Sequence, residues 1–420
     1  MLVAFSVENY RCFRGRVTLD MRAPRGAAPG AKPWDGNLQS VAAVYGANAS
    51  GKTALVRALR QMINDVDGSY RWQIAAADPY LFSEQSQRAP TSYSAQFIAS
   101  DGTCYAYGYS VYNGAVATEW AERYTTARAS MLFQRDGTTM QYGKSLIGPN
   151  KAVERTLRPD SLYLSAAIAA EHPGLAPLYG WLGSRALVYP MLGQNSDRAN
   201  AIGDMADDPE LRRRIGDFLR RADVGLAEIQ VVSRRLTPQE MTVWMADRYP
   251  YDPDVVMMGR NGPEVEVTAF GSHAVDGQEY RLPLREESDG TRALIGHAYM
   301  ADMALRTGST VVFDELDASL HPLVVRELVR VFKDPQRNPN QAQLIFTTND
   351  VSMMDSGYVD GSVLNRDEVW VVDKDGSGVS TLSPLAAKGA RTRDNLASRY
   401  LAGRYGGVPA PQPLLDPVLL

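Results

Sequence analysis

One stretch, residues 46–53, constrains the fold of this chain more than any other. It matches the phosphate-loop pattern G-x-x-x-x-G-K-[ST] at every fixed position. A short apolar run, residues 40–45, precedes it, and a run of helix-forming residues, 54–60, follows it. Backbone N–H groups and the positive end of a helix dipole would then point at one anion. The succession of strand, glycine loop and helix therefore predicts an α/β fold that binds a nucleoside triphosphate.

The loop residues are the first set of candidate nucleotide ligands. They are Gly46, Ala47, Asn48, Ala49, Ser50, Gly51, Lys52 and Thr53. The pattern assigns Lys52 to the β- and γ-phosphates and the hydroxyl of Thr53 to Mg²⁺. ATP and Mg²⁺ are therefore the expected ligands.

Two consecutive carboxylates form the second candidate set. Residues 310–313 are typical of a buried parallel strand, and this strand ends in Asp314 and Glu315. At the carboxyl end of a strand beside the phosphate loop, Asp314 would hold the water shell of Mg²⁺. Glu315 would polarise the attacking water as a general base. This spacing predicts hydrolysis as well as binding.

Composition narrows the class of protein further. At 420 residues the chain exceeds what one core usually holds, and its net charge of −4 gives no overall basic field for nucleic acid. Cys12 and Cys104 form no C-x-x-C pair, which suits a reducing compartment. The sequence has no apolar run of membrane-spanning length and no signal-peptide core. We expect a cytoplasmic protein without a membrane partner.

The region after the first helix changes pattern. Residues 91–142 alternate between apolar and polar positions, and three Asx-Gly dipeptides, starting at Asp101, Asn113 and Asp136, separate the segments. Such dipeptides predict hairpins, and so an antiparallel meander. Tyr105, Tyr107 and Tyr109 would share one face of a strand, for which we favour packing over base stacking because no basic residues interleave them.

The middle of the chain predicts helices and then short strands again. Residues 209–221 place apolar side chains on one helical face and five arginines on the rest of the helix. The arginine face is interpreted either as a solvated face or as a docking face for nucleic acid or an acidic partner. Turns are predicted at Asn261-Gly262 and Asp276-Gly277. The predicted divisions are residues 1–150 and 229–385 as the two halves of one head, 151–228 as a helical insertion, and 386–420 as a C-terminal helix with a Pro-rich tail.

A second anion site is predicted at the start of another helix. Ser288 and Gly290 precede the helical run 292–305, and a helix N-terminus favours anions. This site is redundant within one subunit, but it would cap the γ-phosphate bound to a second copy. The sequence therefore predicts a homodimer or a higher homo-oligomer.

These motifs together resemble the ABC-type ATPases that include the SMC, RecF and OLD proteins. The matching features are Asn48 within the phosphate loop, the 288–291 signature, the 313–315 strand end, the D-loop at 317–322 and the opening 7–13. The resemblance implies an ABC-type P-loop ATPase head with an antiparallel β subdomain and an inserted helical region. Residues 366–372 and 400–406 are similar to the C-terminus of stand-alone AAA-type ATPases of anti-phage loci, such as RloA-like proteins and the PARIS-system ATPase.

Two positions depart from that family. Asn349 stands where the family usually has a switch histidine, and an amide can donate a hydrogen bond but cannot carry a proton. We therefore expect nucleotide binding with slow turnover. The usual Q-loop glutamine has no clear counterpart, with Gln96 and Gln194 as candidates in different regions.

The chain is expected to delegate its effector chemistry. OLD proteins append a metal-binding TOPRIM domain, whereas here Asp373 and Asp375 precede a Gly-Ser-Gly turn and predict a hairpin. We therefore expect a nucleotide-gated sensor in anti-phage defence with a separately encoded, nuclease-like effector. The alternatives are a RecF- or SMC-like DNA-repair ATPase, for which nucleic acid would be a partner, and an ATP-bound scaffold without hydrolysis.

Overall fold

The computed structural model describes residues 1–23, 38–126, 128–183, 186–189, 195–222, 225–237, 239–240, 255–258 and 265–409. Within them the strands are β1 (Leu2–Glu8), β2 (Val17–Asp20), β3 (Val41–Tyr45), β4 (Thr91–Ile98), β5 (Cys104–Tyr112), β6 (Ala115–Tyr124), β7 (Ala129–Asp136), β8 (Thr139–Tyr142), β9 (Ala186–Tyr189), β10 (Glu228–Arg235), β11 (Val255–Met258), β12 (Val265–Val275), β13 (Gln278–Pro283), β14 (Thr310–Phe313), β15 (Gln343–Thr347), β16 (Val369–Lys374) and β17 (Ser380–Pro384).

The helices of the same residues are α1 (Lys52–Trp72), α2 (Glu84–Gln87), α3 (Asn150–Glu154), α4 (Tyr163–Ala169), α5 (Ala176–Leu182), α6 (Asn195–Asp207), α7 (Pro209–Arg221), α8 (Asp289–Thr307), α9 (Pro322–Lys333) and α10 (Leu396–Leu401). Single 3-10 turns occur at Pro173–Leu175, Leu284–Glu286 and Val351–Met354. None of these helices is long and apolar enough to cross a bilayer.

The chain divides into two compact units. The first comprises Met1–Pro190, Thr307–Leu316 and Leu328–Leu420, and the second comprises Met191–Arg306 and Asp317–Glu327. The first unit therefore contains the phosphate loop and the two carboxylates. The second contains the Ser288 segment and the D-loop.

An antiparallel sheet of seven strands, in the order β2-β1-β4-β5-β6-β7-β8, forms one layer of the first unit. The meander predicted from the Asx-Gly dipeptides is confirmed, because β4 to β7 pair in sequence and their turns contain glycines with positive φ, such as Gly102 and Gly114. The tyrosine face is packed as predicted. Tyr107 and Tyr109 are fully buried, and their hydroxyls donate to Glu119 and Asp65.

A six-stranded sheet, in the order β17-β16-β3-β15-β14-β9, forms the other layer. Five of its strands are parallel, and β17 pairs antiparallel with β16. The phosphate-loop strand β3 lies between β15 and β16, and β14 lies on the far side of β15. The carboxyl ends of β3, β14 and β15 therefore meet at one edge of the sheet.

Strand β9 differs from the sequence prediction. Residues 151–228 were expected to be helical, and α3 to α7 lie there, but Ala186–Tyr189 pairs in parallel with β14. Periodicity cannot distinguish a four-residue apolar run in a buried strand from part of a helix. The stretch thus contributes an edge strand to the six-stranded sheet.

Helix α1 lies in the core that joins both sheets. Its buried apolar side chains recur at helical spacing and pack with residues of β1, β3, β4, β5 and β15. They are Ala54, Leu55, Val56, Ala58, Leu59, Met62 and Val66. This packing fixes the helix that follows the phosphate loop.

The second unit holds a smaller antiparallel sheet, in which β12 pairs with β10 on one side and with β11 and β13 on the other. The turn predicted at Asp276-Gly277 joins β12 to β13, whereas Asn261-Gly262 lies outside the described residues. Helix α7 buries Leu211, Ile215 and Leu219, as its periodicity predicts. Its arginines are mostly paired with carboxylates, among them Arg214 with Asp302 at 2.7 Å.

Candidate functional site

The phosphate loop connects β3 to α1 and leaves no room for side chains at its two glycines. A Cβ atom on Gly46 would lie 2.5 Å from the Val372 carbonyl oxygen, and one on Gly51 would lie 2.6 Å from Cys12 Sγ. Gly51 also has φ +120°, which L side chains rarely adopt. The strand–loop–helix order predicted from the sequence is present.

Lys52 is buried and turns its amino group back over the loop. Its Nζ donates to the Gly46 carbonyl at 2.6 Å, to the Ala47 carbonyl at 3.4 Å and to Asn349 Oδ1 at 3.0 Å. A buried ammonium requires such acceptors, because leaving it unpaired would be costly. Phosphate oxygens are stronger acceptors than carbonyls, so this lysine is placed to exchange them.

The loop also carries a buried hydroxyl that none of the described residues satisfies. Ser50 is 3% exposed, and its Oγ has no hydrogen-bond partner within the part of the chain that the structure describes. Its backbone carbonyl, by contrast, accepts from Ser380 Oγ at 2.5 Å. The Ser50 hydroxyl, the two loop glycines and Lys52 lie together at one helix N-terminus, and this arrangement fits a phosphate group.

The two carboxylates lie directly after β14 and share one anchor. The Thr347 hydroxyl at the end of β15 donates to Asp314 Oδ1 at 2.6 Å and accepts from the Glu315 N–H at 2.7 Å. Asp314 is 2% exposed, whereas the side chain of Glu315 is exposed. Glu315 has φ +56°, an uncommon conformation for a residue with a side chain, and Thr347 holds it there.

The segment after β15 is tied to the base of the phosphate loop. The Thr348 N–H donates to the Val44 carbonyl at 3.1 Å, and the Tyr45 hydroxyl donates to the Asp350 carbonyl at 2.8 Å. Asn349 between them therefore reaches Lys52. The first unit thus contains Lys52, Asp314, Glu315 and Asn349, and Thr53 follows Lys52 in α1; the catalytic and metal-binding roles of these residues stay predictions.

Ser288 and Gly290 lie in the second unit, at the start of α8. Ser288 Oγ accepts from the Thr291 N–H at 3.1 Å, which caps the helix. A Cβ on Gly290 would lie 2.5 Å from the carbonyl oxygen of Ser319 in the D-loop. The signature and the D-loop therefore pack against each other where only glycine fits.

Comparison with known proteins places the chain in a family. The profile described as "AAA domain, putative AbiEii toxin, Type IV TA system" matches residues 41–355, about three quarters of the chain. The chain belongs to this AAA domain family. The match includes the phosphate loop, both carboxylates and the signature. A comparison with curated proteins gave no significant match.

Several solved structures are similar to this AAA domain chain. An SMC head bound to the C-terminal winged-helix domain of ScpA is 13% identical and has a TM-score of 0.45. The aligned region covers 91% of this chain and 97% of the SMC head chain. The SMC head domain from Thermotoga maritima is 12% identical, with coverage of 91% and 98% and a TM-score of 0.40. RecF in its ATPγS complex is 11% identical, with coverage of 91% and 98% and a TM-score of 0.37.

The family and the sheet topology confirm the predicted fold class, an α/β ABC-type P-loop ATPase head with an antiparallel β subdomain. ATP binding follows from membership of this ATPase family.

Among the described residues, no group of three or more His, Cys, Asp or Glu side chains could hold a metal ion. The hairpin predicted at Asp373 and Asp375 is confirmed as β16–β17, and Asp375 Oδ1 accepts from the Ser377 and Val379 N–H groups of its turn.

Sequence reasoning gave no role to three side chains of this AAA domain site. Thr347 anchors the Asp314 carboxylate and the Glu315 backbone, Ser380 donates to the Ser50 carbonyl, and Lys374 Nζ lies 3.3 Å from the Ala49 carbonyl. Thr347 ends the apolar run 343–346, which is its only local signal. Ser380 and Lys374 have none, because their partners lie more than 300 residues earlier.

Proposed function

We propose that this chain is a Mg²⁺-dependent ATP hydrolase with slow turnover. The observation that carries the proposal is the anchor of Thr347, which holds the Asp314 carboxylate and the Glu315 backbone beside the strand that leads to Asn349 and Lys52. A buried carboxylate next to an exposed one, at the carboxyl end of one parallel strand, suits metal binding and general-base chemistry.

Each side chain has one task in this proposal. The loop N–H groups, Ser50 and Lys52 bind the phosphates, while Thr53 and Asp314 hold Mg²⁺, which would neutralise charge that develops on the phosphate oxygens. Glu315 accepts a proton from the attacking water. Its exposed side chain and pinned backbone allow that contact without rearrangement of the strand.

Asn349 accounts for the slow turnover. Its Oδ1 accepts from Lys52, and its amide N–H₂ can donate a hydrogen bond to a phosphate or a water. An amide supplies a neutral hydrogen bond where a protonated imidazole would supply a charge-assisted one, which is roughly twice as strong. We therefore assign Asn349 to sensing the γ-phosphate with less stabilisation of the transition state.

Assembly is proposed to complete the site. The α8 N-terminus with Ser288 and Gly290 would cap the γ-phosphate of a second copy, and two-fold symmetry makes the two composite sites equivalent. ATP would then stabilise the dimer and hydrolysis would weaken it, which is the differential contact that a switch needs.

The biological setting is proposed to be anti-phage defence with a separate effector. The family description names a toxin of a toxin–antitoxin system, which supports a role in such loci. The Asp373 carboxylate accepts from the Gly407 N–H, and the Asp375 carboxylate accepts from the Ser377 N–H. Both carboxylates therefore have structural roles in the fold. We therefore assign effector chemistry to another protein, controlled by the ATP-bound dimer.

The test compares Lys52→Ala, Glu315→Gln and Lys151→Ala in phosphate-release and nucleotide-binding assays. Lys52→Ala should abolish binding, and Glu315→Gln should retain binding and lose hydrolysis because it keeps the shape of the site but not the base. Lys151→Ala, an exposed lysine paired with Glu154, should match the parent. ATP binding by Lys52→Ala as tight as that of the parent would contradict the proposal.

A RecF-like nucleic-acid function is the second candidate, and one observation favours it. A groove of about 430 Å³ lies between α7 and the start of β10, with Gly216 among its lining and Arg212, Arg213 and Arg220 around it. Arg213 and Arg220 are paired with acidic side chains, which reduces their attraction for phosphates. Salt-dependent binding of labelled duplex DNA, weakened by Arg212→Ala but not by Arg88→Ala, would select this function.

A further inference from the structure

The C-terminal part of the first unit packs beneath the start of the phosphate loop. The Gly407 N–H donates to Asp373 Oδ1 at 3.0 Å, and the Tyr400 hydroxyl donates to the Gly407 carbonyl at 2.8 Å. The Tyr400 ring also makes an edge contact with Tyr45, the last residue of β3, at a centroid distance of 5.8 Å. A short segment, residues 400–407, is thus fixed against the strand that leads into the loop.

The contact is so close that side chains are excluded on both sides. Gly406 and Gly407 have φ of +71° and +68°; a Cβ on Gly406 would overlap the Asp373 carboxylate, and one on Gly407 would overlap Val371 and lie 3.5 Å from the Gly46 Cα. On the other side, Gly46 has the Val372 carbonyl against it, as described above. Gly407 and Gly46 therefore both lie close to the Val372 carbonyl, since a Cβ would approach its oxygen to 3.1 Å from Gly407 and to 2.5 Å from Gly46.

We propose that Tyr400 and Gly407, at the two ends of this segment, form a positioning element of the nucleotide site. Through Gly407 and Asp373 the segment holds the end of β16, and through Tyr400 it holds the end of β3, so it fixes Gly46 from two directions. The orientation of Gly46 sets the direction in which the following loop N–H groups point. The inference rests on the proposed binding of ATP at that loop, and it adds a second region of the chain on which the affinity depends.

Burial is consistent with this role. Tyr400 is 6% exposed, and burial together with the nearby Asp373 carboxylate raises its pKa to about 12, opposed by a backbone hydrogen bond from Gly46. The phenol therefore stays protonated and available as a donor across the usual pH range.

Gly407→Ala tests the positioning element, and Gly403→Ala is its matched control. Gly403 lies in the same segment with φ +74°, but among the described residues a Cβ there would meet only Val408, at 3.6 Å. Both variants carry the backbone strain, and only Gly407→Ala pushes on Val371 and on the Val372 carbonyl, which also lies against Gly46. With a fluorescent ATP analogue and the full chain, we expect binding about tenfold weaker than that of Gly403→Ala, since overpacking strain of this kind is commonly that large. Equal affinities for the two variants, with the parent binding normally, would overturn the inference.

Tyr400→Phe provides a milder variant that does not depend on the glycines. It removes the hydroxyl that holds Gly407 and keeps the ring, and Tyr405→Phe, whose hydroxyl lies 3.4 Å from Asp394, is the control. Amide hydrogen exchange in residues 46–53 should be roughly fivefold faster in Tyr400→Phe, as the loss of one ordinary hydrogen bond predicts. Unchanged exchange there would overturn the inference. A parent that binds no ATP would instead refute the proposed function, and the exchange result would still decide on the positioning element.

Discussion

Replacing Thr347 by Val is expected to separate stability, binding and catalysis in this site. The valine keeps the β-branched shape of a fully buried strand residue and deletes one hydroxyl. That hydroxyl donates to the Asp314 carboxylate and accepts from the Glu315 N–H, so two groups lose their partner at once. A hydrogen bond to a charged group is worth about 1.5–3 kcal/mol, and an unsatisfied buried N–H costs about 1–3 kcal/mol.

We therefore expect the free energy of unfolding to fall by roughly 2–4 kcal/mol, given that such terms do not add fully. The effect on catalysis should be larger than the effect on binding. In the parent, the hydrogen bond from the Glu315 N–H to Thr347 supports the positive φ of Glu315, and the valine variant lacks this bond. Displacement of a catalytic group by about 1 Å can reduce a rate about 100-fold. Lys52 and the loop do not contact Thr347 through a hydrogen bond, so the affinity for ATP should change little.

The assay combines urea unfolding, equilibrium binding of an ATP analogue and phosphate release at saturating ATP. Thr347→Ser is the control, since it keeps the hydroxyl and loses one methyl group at a cost of about 1 kcal/mol. The valine variant should lose hydrolysis while the serine variant retains it. Equal hydrolysis by the two variants would refute the anchoring role of Thr347, whatever their stabilities.

Three further predictions concern other parts of the chain. Asn349→His should raise the turnover number, because an imidazolium can stabilise the γ-phosphate more strongly than an amide; an unchanged or lower number in steady-state assays would place that contact elsewhere. A mixture of Lys52→Ala and Ser288→Arg subunits, each inactive alone, should regain some hydrolysis, because one composite site of the heterodimer keeps both residues; no recovery in confirmed heterodimers would count against site sharing. Burial raises the pKa of Asp65 on α1 to about 6, so protonation favours the folded state, and this contribution is complete below the unfolded value and lost as the pH rises through 6. Relative to Asp65→Asn, the parent should gain at most about 3 kcal/mol of unfolding free energy between pH 7.5 and pH 4 in urea titrations, and parallel pH profiles would exclude the effect.

The parts of the site that the sequence predicts are those built from neighbouring residues. The phosphate loop and the Asp314–Glu315 pair each combine a strand with the residues that follow it, so residues that are close in the sequence are also close in the structure. The hairpins at Asp101, Asn113 and Asp136 were predictable for the same reason, because their turns require residues that tolerate positive φ.

The parts that the sequence does not predict depend on distant pairs. Thr347 anchors Asp314 across 33 positions, and Ser380 braces Ser50 across 330, and no local pattern encodes either contact. Strand β9 was missed because its four apolar residues are as compatible with a helix as with a strand. The close contact of Gly407 with Gly46 belongs to the same class, since each glycine alone would indicate only a turn.

The order of strands in the parallel sheet has a consequence for synthesis on the ribosome. The strand β3 leaves the exit tunnel early, but both of its neighbours, β15 and β16, are translated only after residue 342. The antiparallel meander β4 to β8 pairs locally and can fold while translation continues. While the residues between β3 and β15 are translated, the phosphate-loop strand therefore has neither partner, and a nascent chain cannot assemble this nucleotide site until β15 and β16 have emerged.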